Sequence, residues 1–90
     1  MPERCDVLVK VVSQKGFCAA GHKVGDEWVI GRSTPQGICG GAFNAMVPDI
    51  WVLAFGGSFP WEDDPDVTRT ACPDAENPLV FELRRLQGKD

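Results

Sequence analysis

The chain has 90 residues, of which 43% are hydrophobic and 24% are charged, so its length allows one globular domain and its composition argues against wholesale disorder. Its formal net charge is -4 and its 9 basic residues are scattered, so we expect neither nucleic acid nor an anionic membrane surface as a partner. The longest apolar stretch, residues 50–55, is too short to span a bilayer, and the first residues show no secretory signal, which favours a cytoplasmic protein.

Four strands are predicted, each bounded by glycine, proline or other turn residues. They cover residues 7–13, 27–30, 67–71 and 79–84. In the first strand the β-branched residues Val7, Val9 and Val11 share one face. In the last strand Phe81 and Leu83 face the core, while the charged residues that alternate with them face water.

The segment from residue 39 to residue 54 is the main helical candidate. Apolar side chains cover nearly every direction around it, and a helix that is apolar on all sides is buried. Pro48 removes a backbone donor and crowds the preceding turn, so we expect a kinked helix or two short helices that meet near Val47. The order strand, strand, helix, strand, strand predicts a single α+β domain over residues 1–90, with a short antiparallel sheet packed on this helix.

Three of the 4 cysteines lie at the edges of predicted elements, in turns that contain glycine or proline. Cys18 begins Cys-Ala-Ala-Gly-His, Cys39 begins Cys-Gly-Gly-Ala at the helix start, and Cys72 begins Cys-Pro-Asp. Small residues after a ligating cysteine let backbone N–H groups approach the sulfur, and a helix N-terminus favours the thiolate that binds metal. Cytoplasmic cysteines are usually reduced. We therefore interpret these three cysteines as ligands of one metal centre, against the alternative of small buried side chains.

Two kinds of metal centre are compatible with these residues. A [4Fe-4S] cluster held by the three cysteines alone would leave one iron open to a substrate or small ligand. Zinc held by the same cysteines and by His22 would form a closed, structural Cys3His site, although the sequence lacks the paired ligands typical of zinc. His22 is thus a zinc ligand or a proton donor beside an open site, with an ordinary loop histidine as the alternative.

The segment from Phe55 to Trp61 is an aromatic, glycine-rich loop. Its two consecutive glycines allow close approach of a ligand, and Ser58 offers a hydroxyl, so one interpretation is a pocket with Ser58 as a catalytic or binding group. The alternative is a tight turn whose aromatic rings fill the core. We interpret the acidic residues 62–66 as a solvated turn, and we place Cys5 outside the metal-binding pattern.

Four distinctive stretches cover nearly the whole chain. They read Cys18-Ala-Ala-Gly-His-Lys-Val-Gly-Asp26, Gly37-Ile-Cys-Gly-Gly-Ala-Phe43, Phe55-Gly-Gly-Ser-Phe-Pro-Trp61 with Asp64-Pro-Asp66, and Cys72-Pro-Asp with Asn77-Pro-Leu-Val-Phe-Glu-Leu83. Together they resemble a family of small proteins of about this length whose function is uncharacterised. The family pattern has cysteines at the positions of Cys18, Cys39 and Cys72 and a Gly-His pair that matches His22, so the resemblance implies a site formed by these residues. It implies no particular activity.

Three functional hypotheses are consistent with these residues. The leading one is a small iron–sulfur protein in which the three cysteines hold a cluster, His22 and Ser58 border the open iron, and a small molecule undergoes a non-redox lyase or isomerase reaction. The second is a structural zinc module without enzymatic activity. The third is a metal-free protein that binds a small molecule or assembles through the glycine–aromatic loop. The apolar content of so small a chain also favours a homo-oligomer.

Overall fold

The computed structural model describes residues 4–33 and 35–86. Within these ranges the chain forms four strands and one helix. In chain order they are β1 (Val7–Gln14), β2 (Glu27–Ile30), α1 (Gly40–Ala54), β3 (Val67–Ala71) and β4 (Leu79–Arg85). The predicted α+β class is confirmed, and each element begins and ends within one residue of its expected bounds. A helix of bilayer-spanning length and hydrophobicity does not occur in the described residues.

The four strands form one antiparallel sheet in the order β2-β1-β4-β3, so β1 and β4 occupy its centre. The register places Val9 opposite Leu83 and Val11 opposite Phe81, and these side chains are fully buried. Cross-strand pairs of β-branched and large apolar side chains stabilise a sheet by roughly 0.2–1 kcal/mol each. The predicted alternation in β1 and β4 is confirmed, and these two strands provide most of the sheet side of the core.

β1 carries an irregularity just before it ends. Its pairing with β4 shifts register between Val11 and Ser13, as happens at a β-bulge, where one residue of a strand has no direct partner. A bulge bends its strand and redirects the chain that follows, which here is the loop that contains Cys18. The Lys15 N–H then donates to the carbonyl of Pro78 at 3.0 Å. This bond keeps the start of the loop beside the beginning of β4.

α1 is a single helix of 15 residues that continues through Pro48, so the alternative of two short helices does not form. Both Pro48 and Asn44 are exposed, so water can reach the Asn44 carbonyl that the proline leaves without a helical donor. The helix packs on β3, β4 and β1, and its buried residues include Met46, Ile50 and Leu53. Burial of side chains of this size contributes roughly 1.5–3 kcal/mol each, so tertiary packing holds the helix despite its internal proline.

One side of α1 remains in contact with solvent. Trp51 is 61% exposed, and Phe55, which follows the helix, is 47% exposed. The expectation that every side of this helix is buried is therefore corrected at its C-terminal half. The physical reason is that α1 lies on a single sheet, and no second layer of the described residues covers its outer side.

The C-terminal end of α1 is fixed by a buried arginine from β4. The Arg85 side chain is 9% exposed, and its guanidinium donates to the carbonyl oxygens of Leu53 and Gly57, each at 2.8 Å. It also donates to the Pro65 carbonyl at 2.9 Å and forms an ion pair with Asp66 at 2.8 Å. The last carbonyls of a helix lack helical donors. One side chain therefore supplies a donor to the helix end and ties that end to the turn before β3.

The acidic segment that precedes β3 is a turn, as the sequence indicated. Asp64 accepts a hydrogen bond from the Asp66 N–H at 2.9 Å and pairs with Arg84 at 3.4 Å. The Thr68 hydroxyl donates a hydrogen bond to the Glu62 carboxylate, with an oxygen–oxygen distance of 3.0 Å. These carboxylates shape the turn and link it to β3 and β4.

Replacing Arg85 by alanine should lower the free energy of unfolding by about 3 kcal/mol, because the helix end and Asp66 lose a shared, buried donor. The neighbouring Arg84 makes partly exposed ion pairs, so Arg84→Ala is the matched control and should cost less than about 1 kcal/mol. Urea denaturation followed by far-UV circular dichroism measures both values. Equal losses in the two variants would show that the Arg85 contacts do not hold the helix end.

Candidate functional site

Three cysteines that are far apart in the sequence line one cavity near the beginning of α1. This cysteine cavity has a volume of about 130 Å³, and its walls include Cys18, Cys39, Cys72 and His22. Cys18 lies in the loop after β1, Cys39 is the residue before the first turn of α1, and Cys72 directly follows β3. All three are half-buried free thiols. The structure thus brings together the three cysteines and the histidine that the sequence singled out.

The loops that carry Cys18 and Cys72 are joined by Asn77. Its side-chain oxygen accepts a hydrogen bond from the Phe17 N–H at 3.3 Å. Gly16 lies directly against the same side chain with a φ of 75°, and a Cβ atom at this position would overlap the Asn77 amide. Only glycine combines this left-handed backbone with so close an approach. The Asn77 amide, and the absence of a side chain at Gly16, therefore hold the two cysteine loops close together.

The loop after β3 is shaped by its own carboxylate. Asp74 accepts hydrogen bonds from the backbone N–H groups of Glu76, at 3.1 Å, and Asn77, at 3.2 Å. The Cys72 sulfur accepts a hydrogen bond from the Leu79 N–H at 3.3 Å, and the Cys72 N–H donates to the Leu79 carbonyl at 2.9 Å. The Cys72 thiol also donates weakly to the Asn77 carbonyl at 3.9 Å, so three backbone contacts fix the position of this residue.

His22 connects the loop after β1 to the beginning of the helix. Its ring nitrogen Nε2 accepts a hydrogen bond from the Cys39 N–H at 2.9 Å, and the residue is 8% exposed. The ring also meets the edge of Trp28, with ring centroids 4.8 Å apart, and the His22 carbonyl accepts a bond from the Gln14 side chain. Because Nε2 accepts, the proton of the neutral ring lies on Nδ1. His22 therefore positions Cys39, and its Nε2 lone pair is already engaged.

The first turn of α1 forms another wall of the cysteine cavity. Cys39 makes no side-chain capping bond, and the first N–H groups of a helix lack helical acceptors, so partial positive charge gathers at this end. Gly41 lines the cavity, and a Cβ atom there would lie 4.0 Å from the Cys39 sulfur and 3.9 Å from the Pro73 ring. At Gly40 a Cβ atom would meet open space. Gly41 therefore keeps room beside the Cys39 sulfur, and Gly40 does not.

The spacing of these donors bears on the kind of centre that fits. In the described residues, no three side chains of histidine, cysteine, aspartate or glutamate are grouped closely enough to hold a single metal ion. A zinc ion draws all its ligands onto one atom, whereas each cysteine of an iron–sulfur cluster binds a different iron atom. Cysteine sulfurs around a cluster therefore stand farther apart. The three thiols and the imidazole that line the cavity are donor types that occur in both kinds of centre.

Ser58 and Cys5 lie away from this site. Ser58 follows the C-terminal end of α1, is exposed, and is not among the residues that line the cysteine cavity. In the same loop Phe59 packs against the core, and Trp61 is 71% exposed. The Cys5 N–H donates to the carbonyl of Ala54, at the far end of the helix. The structure does not bring Ser58 to the three cysteines.

Several residues that shape the cavity were not recognised from the sequence. The sequence marks Asn77 and Asp74 only as residues of the turn before the last strand, and Trp28 only as part of the strand over residues 27–30. A signal for the first two was present, since an aspartate followed three residues later by Asn-Pro is typical of a tight Asx turn. The contact of Trp28 with His22 carries no local signal, because it depends on how β2 pairs with β1.

The fold and the site define the molecule at the level of class: a small α+β domain with a cavity lined by three thiols and an imidazole. Comparison of the chain with protein-family models, with curated proteins and with solved structures finds no match.

Alanine substitutions at Gly16 and Gly25 distinguish two effects on stability: backbone strain, which both share, and loss of the Asn77 contact, which only Gly16→Ala causes. Both glycines have positive φ, so each substitution costs about 1–2 kcal/mol in strain. At Gly16 the methyl group also displaces Asn77 from the Phe17 N–H, whereas the space around Gly25 is open. Gly16→Ala should therefore lower the free energy of unfolding by at least about 1 kcal/mol more than Gly25→Ala in urea denaturation. Indistinguishable losses would contradict the role assigned to Asn77.

Proposed function

We propose that the chain is a metal-binding protein that holds a [4Fe-4S] cluster through Cys18, Cys39 and Cys72. The observation that carries this proposal is that thiols from three separate segments line one cavity. Three cysteine ligands leave one of the four irons without a protein ligand. When bound, such a cluster supplies a Lewis-acidic iron that is open to a small-molecule ligand, which suits non-redox chemistry such as dehydration or isomerisation.

The residues around the sulfurs support this assignment. Cys72 receives a backbone hydrogen bond from the Leu79 N–H, and Cys39 lies at the positive end of α1. Backbone N–H groups directed at cysteine sulfurs are a common feature of iron–sulfur sites. Gly41 leaves space beside the Cys39 sulfur, which a Cβ atom would partly fill at van der Waals distance.

His22 is the residue that we propose to act on a ligand bound beside the cluster. It lines the same cavity as the cysteines, and its Nε2 accepts the Cys39 N–H, so its exchangeable proton lies on Nδ1. A neutral imidazole with a fixed orientation can orient a ligand or hold a proton next to it. The same bond to Cys39 weighs against the Cys3His zinc alternative, because a metal bound at Nε2 would displace it. Ser58 has no part in this proposal, because it lies outside the cavity.

Anaerobic incubation with ferrous iron and sulfide should load about four irons and four sulfides per chain and give a broad absorption in the violet. Cys39→Ser should abolish this loading, because serine is a poor ligand for iron in a cluster. Cys5→Ser is the matched control: Cys5 is also half-buried, but it lies at the other end of α1 and should not affect loading. Iron and labile sulfide assays measure the stoichiometry, and circular dichroism verifies that both variants are folded.

The same assays distinguish the alternatives. If the wild-type protein binds one equivalent of zinc and no sulfide, and both Cys39→Ser and His22→Ala lose this zinc, the site is a structural zinc site and not a cluster site. Folded protein that takes up neither metal under anaerobic conditions, and whose cysteines all react with a thiol reagent, would overturn metal binding altogether.

Substitutions at the two glycines that begin α1 test the cavity itself. Gly41→Ala places a methyl group beside the Cys39 sulfur, whereas Gly40→Ala places the same group in open space. Both changes favour helix formation to a similar degree. We expect the Gly41→Ala protein to lose iron to a chelator about tenfold faster than wild type, and the Gly40→Ala protein to behave as wild type. Equal rates of iron loss in the wild type and both variants would show that the space beside Gly41 does not hold the cluster.

A further inference from the structure

A second concave surface lies along the outer flank of α1, between the helix and the end of β2. It encloses about 500 Å³, within the size range of small-molecule sites. This surface, which we name the arginine groove, is lined by residues that include Arg4, Arg32, Phe43, Val47, Trp51 and Phe55. It exists because α1 packs on β3, β4 and β1 and leaves its flank toward β2 open.

The wall of the arginine groove on the helix side is a continuous apolar stripe. Phe43, Val47, Trp51 and Phe55 recur at intervals of four residues, so they lie in one row along α1 and the residue that follows it. Ile50 and Ile30 add buried apolar surface behind this row. Trp51 and Phe55 are exposed, and contiguous exposed apolar side chains beside polar ones are typical of interaction sites.

The other wall of the groove is cationic. The Arg4 side chain is held in place: it donates to the Gly31 carbonyl at 2.6 Å, lies 3.5 Å from Asp6, and its guanidinium carbon is 5.9 Å from the centroid of the Phe55 ring. Arg32 is exposed and forms no ion pair with any described residue. No carboxylate is among the residues that line the groove. A cationic patch on a chain of net charge -4 is therefore a local exception.

We propose that the arginine groove binds a small organic carboxylate with an apolar body, such as a short hydrocarbon chain or an aromatic ring. The apolar body lies against the stripe that Val47 and Trp51 provide, and the carboxylate pairs with Arg32. Arg4 already pairs with Asp6, so Arg32 is the main anion-binding group of the groove. A second copy that uses the same face fits less well, because it would bring its own Arg4 and Arg32 to the interface. The site does not include the cysteines and does not depend on the proposed cluster.

Titration calorimetry with octanoate and with octanamide, its uncharged counterpart, tests this site in the intact chain. Octanoate should bind at least about fivefold more tightly than octanamide, because only the carboxylate forms an ion pair with Arg32. Arg32→Gln should reduce this preference to less than about twofold. Arg69→Gln is the matched control, since Arg69 is an exposed arginine on β3 that pairs with Glu82 away from the groove. It should leave the preference unchanged, as should Cys39→Ser, which separates this site from the cysteine cavity.

A second pair of variants tests the apolar wall. Trp51→Ala should weaken octanoate binding at least about threefold, and Trp61→Ala, which removes a somewhat more exposed ring elsewhere, should not. Absence of octanoate binding at millimolar concentration, or equal affinities for octanoate and octanamide, would overturn the proposal. Concentration-dependent dimerisation that is lost in Trp51→Ala would also overturn it, because the groove would then be an interface between two copies.

Discussion

A single helix of 15 residues covers one face of a four-stranded sheet, and the position of that helix determines most of what the molecule can do. α1 packs on β3, β4 and β1, so its first turn contacts the loop that follows β1 and the loop that follows β3. Its outer flank, toward β2, has no neighbouring layer in the described residues. The cysteine cavity at the start of the helix and the arginine groove along its flank are both consequences of covering a sheet with one helix.

The cysteine cavity is assembled by polar contacts between loops and not by the hydrophobic core alone. Asn77 joins the loops of Cys18 and Cys72, and His22 joins the first of these loops to Cys39. Each contact is a hydrogen bond between a side chain and a backbone N–H, and such bonds contribute about 0.5–1.5 kcal/mol each. The arrangement of the sulfurs thus depends on a few directional bonds at the edge of the sheet, where a bound ligand could reinforce them.

Much of this architecture was predictable from local patterns. Alternation in β1 and β4, turn residues at their ends, and the apolar segment of α1 gave the α+β class and the element bounds. The three cysteines and His22 were recognisable as a group because each lies at the edge of an element, where loops converge. The outer face of α1 was not predictable, because Trp51 carries the same apolar signal whether a second layer covers it or not. The distance of Ser58 from the cavity depends on the direction of the helix across the sheet, which no local pattern encodes.

The central pair of the sheet joins segments from opposite regions of the described chain, with Val7 opposite Arg85. Contacts over so long a separation form slowly. Closing the intervening chain costs conformational entropy before the favourable interactions between the strands have formed. During synthesis β1 can pair with β2, but it must wait for β4 to leave the ribosome. Cys72 comes just before β4, and the Leu79 N–H that bonds to its sulfur belongs to that strand. Any inorganic centre that this cavity holds would therefore be inserted only after β4 has been synthesised.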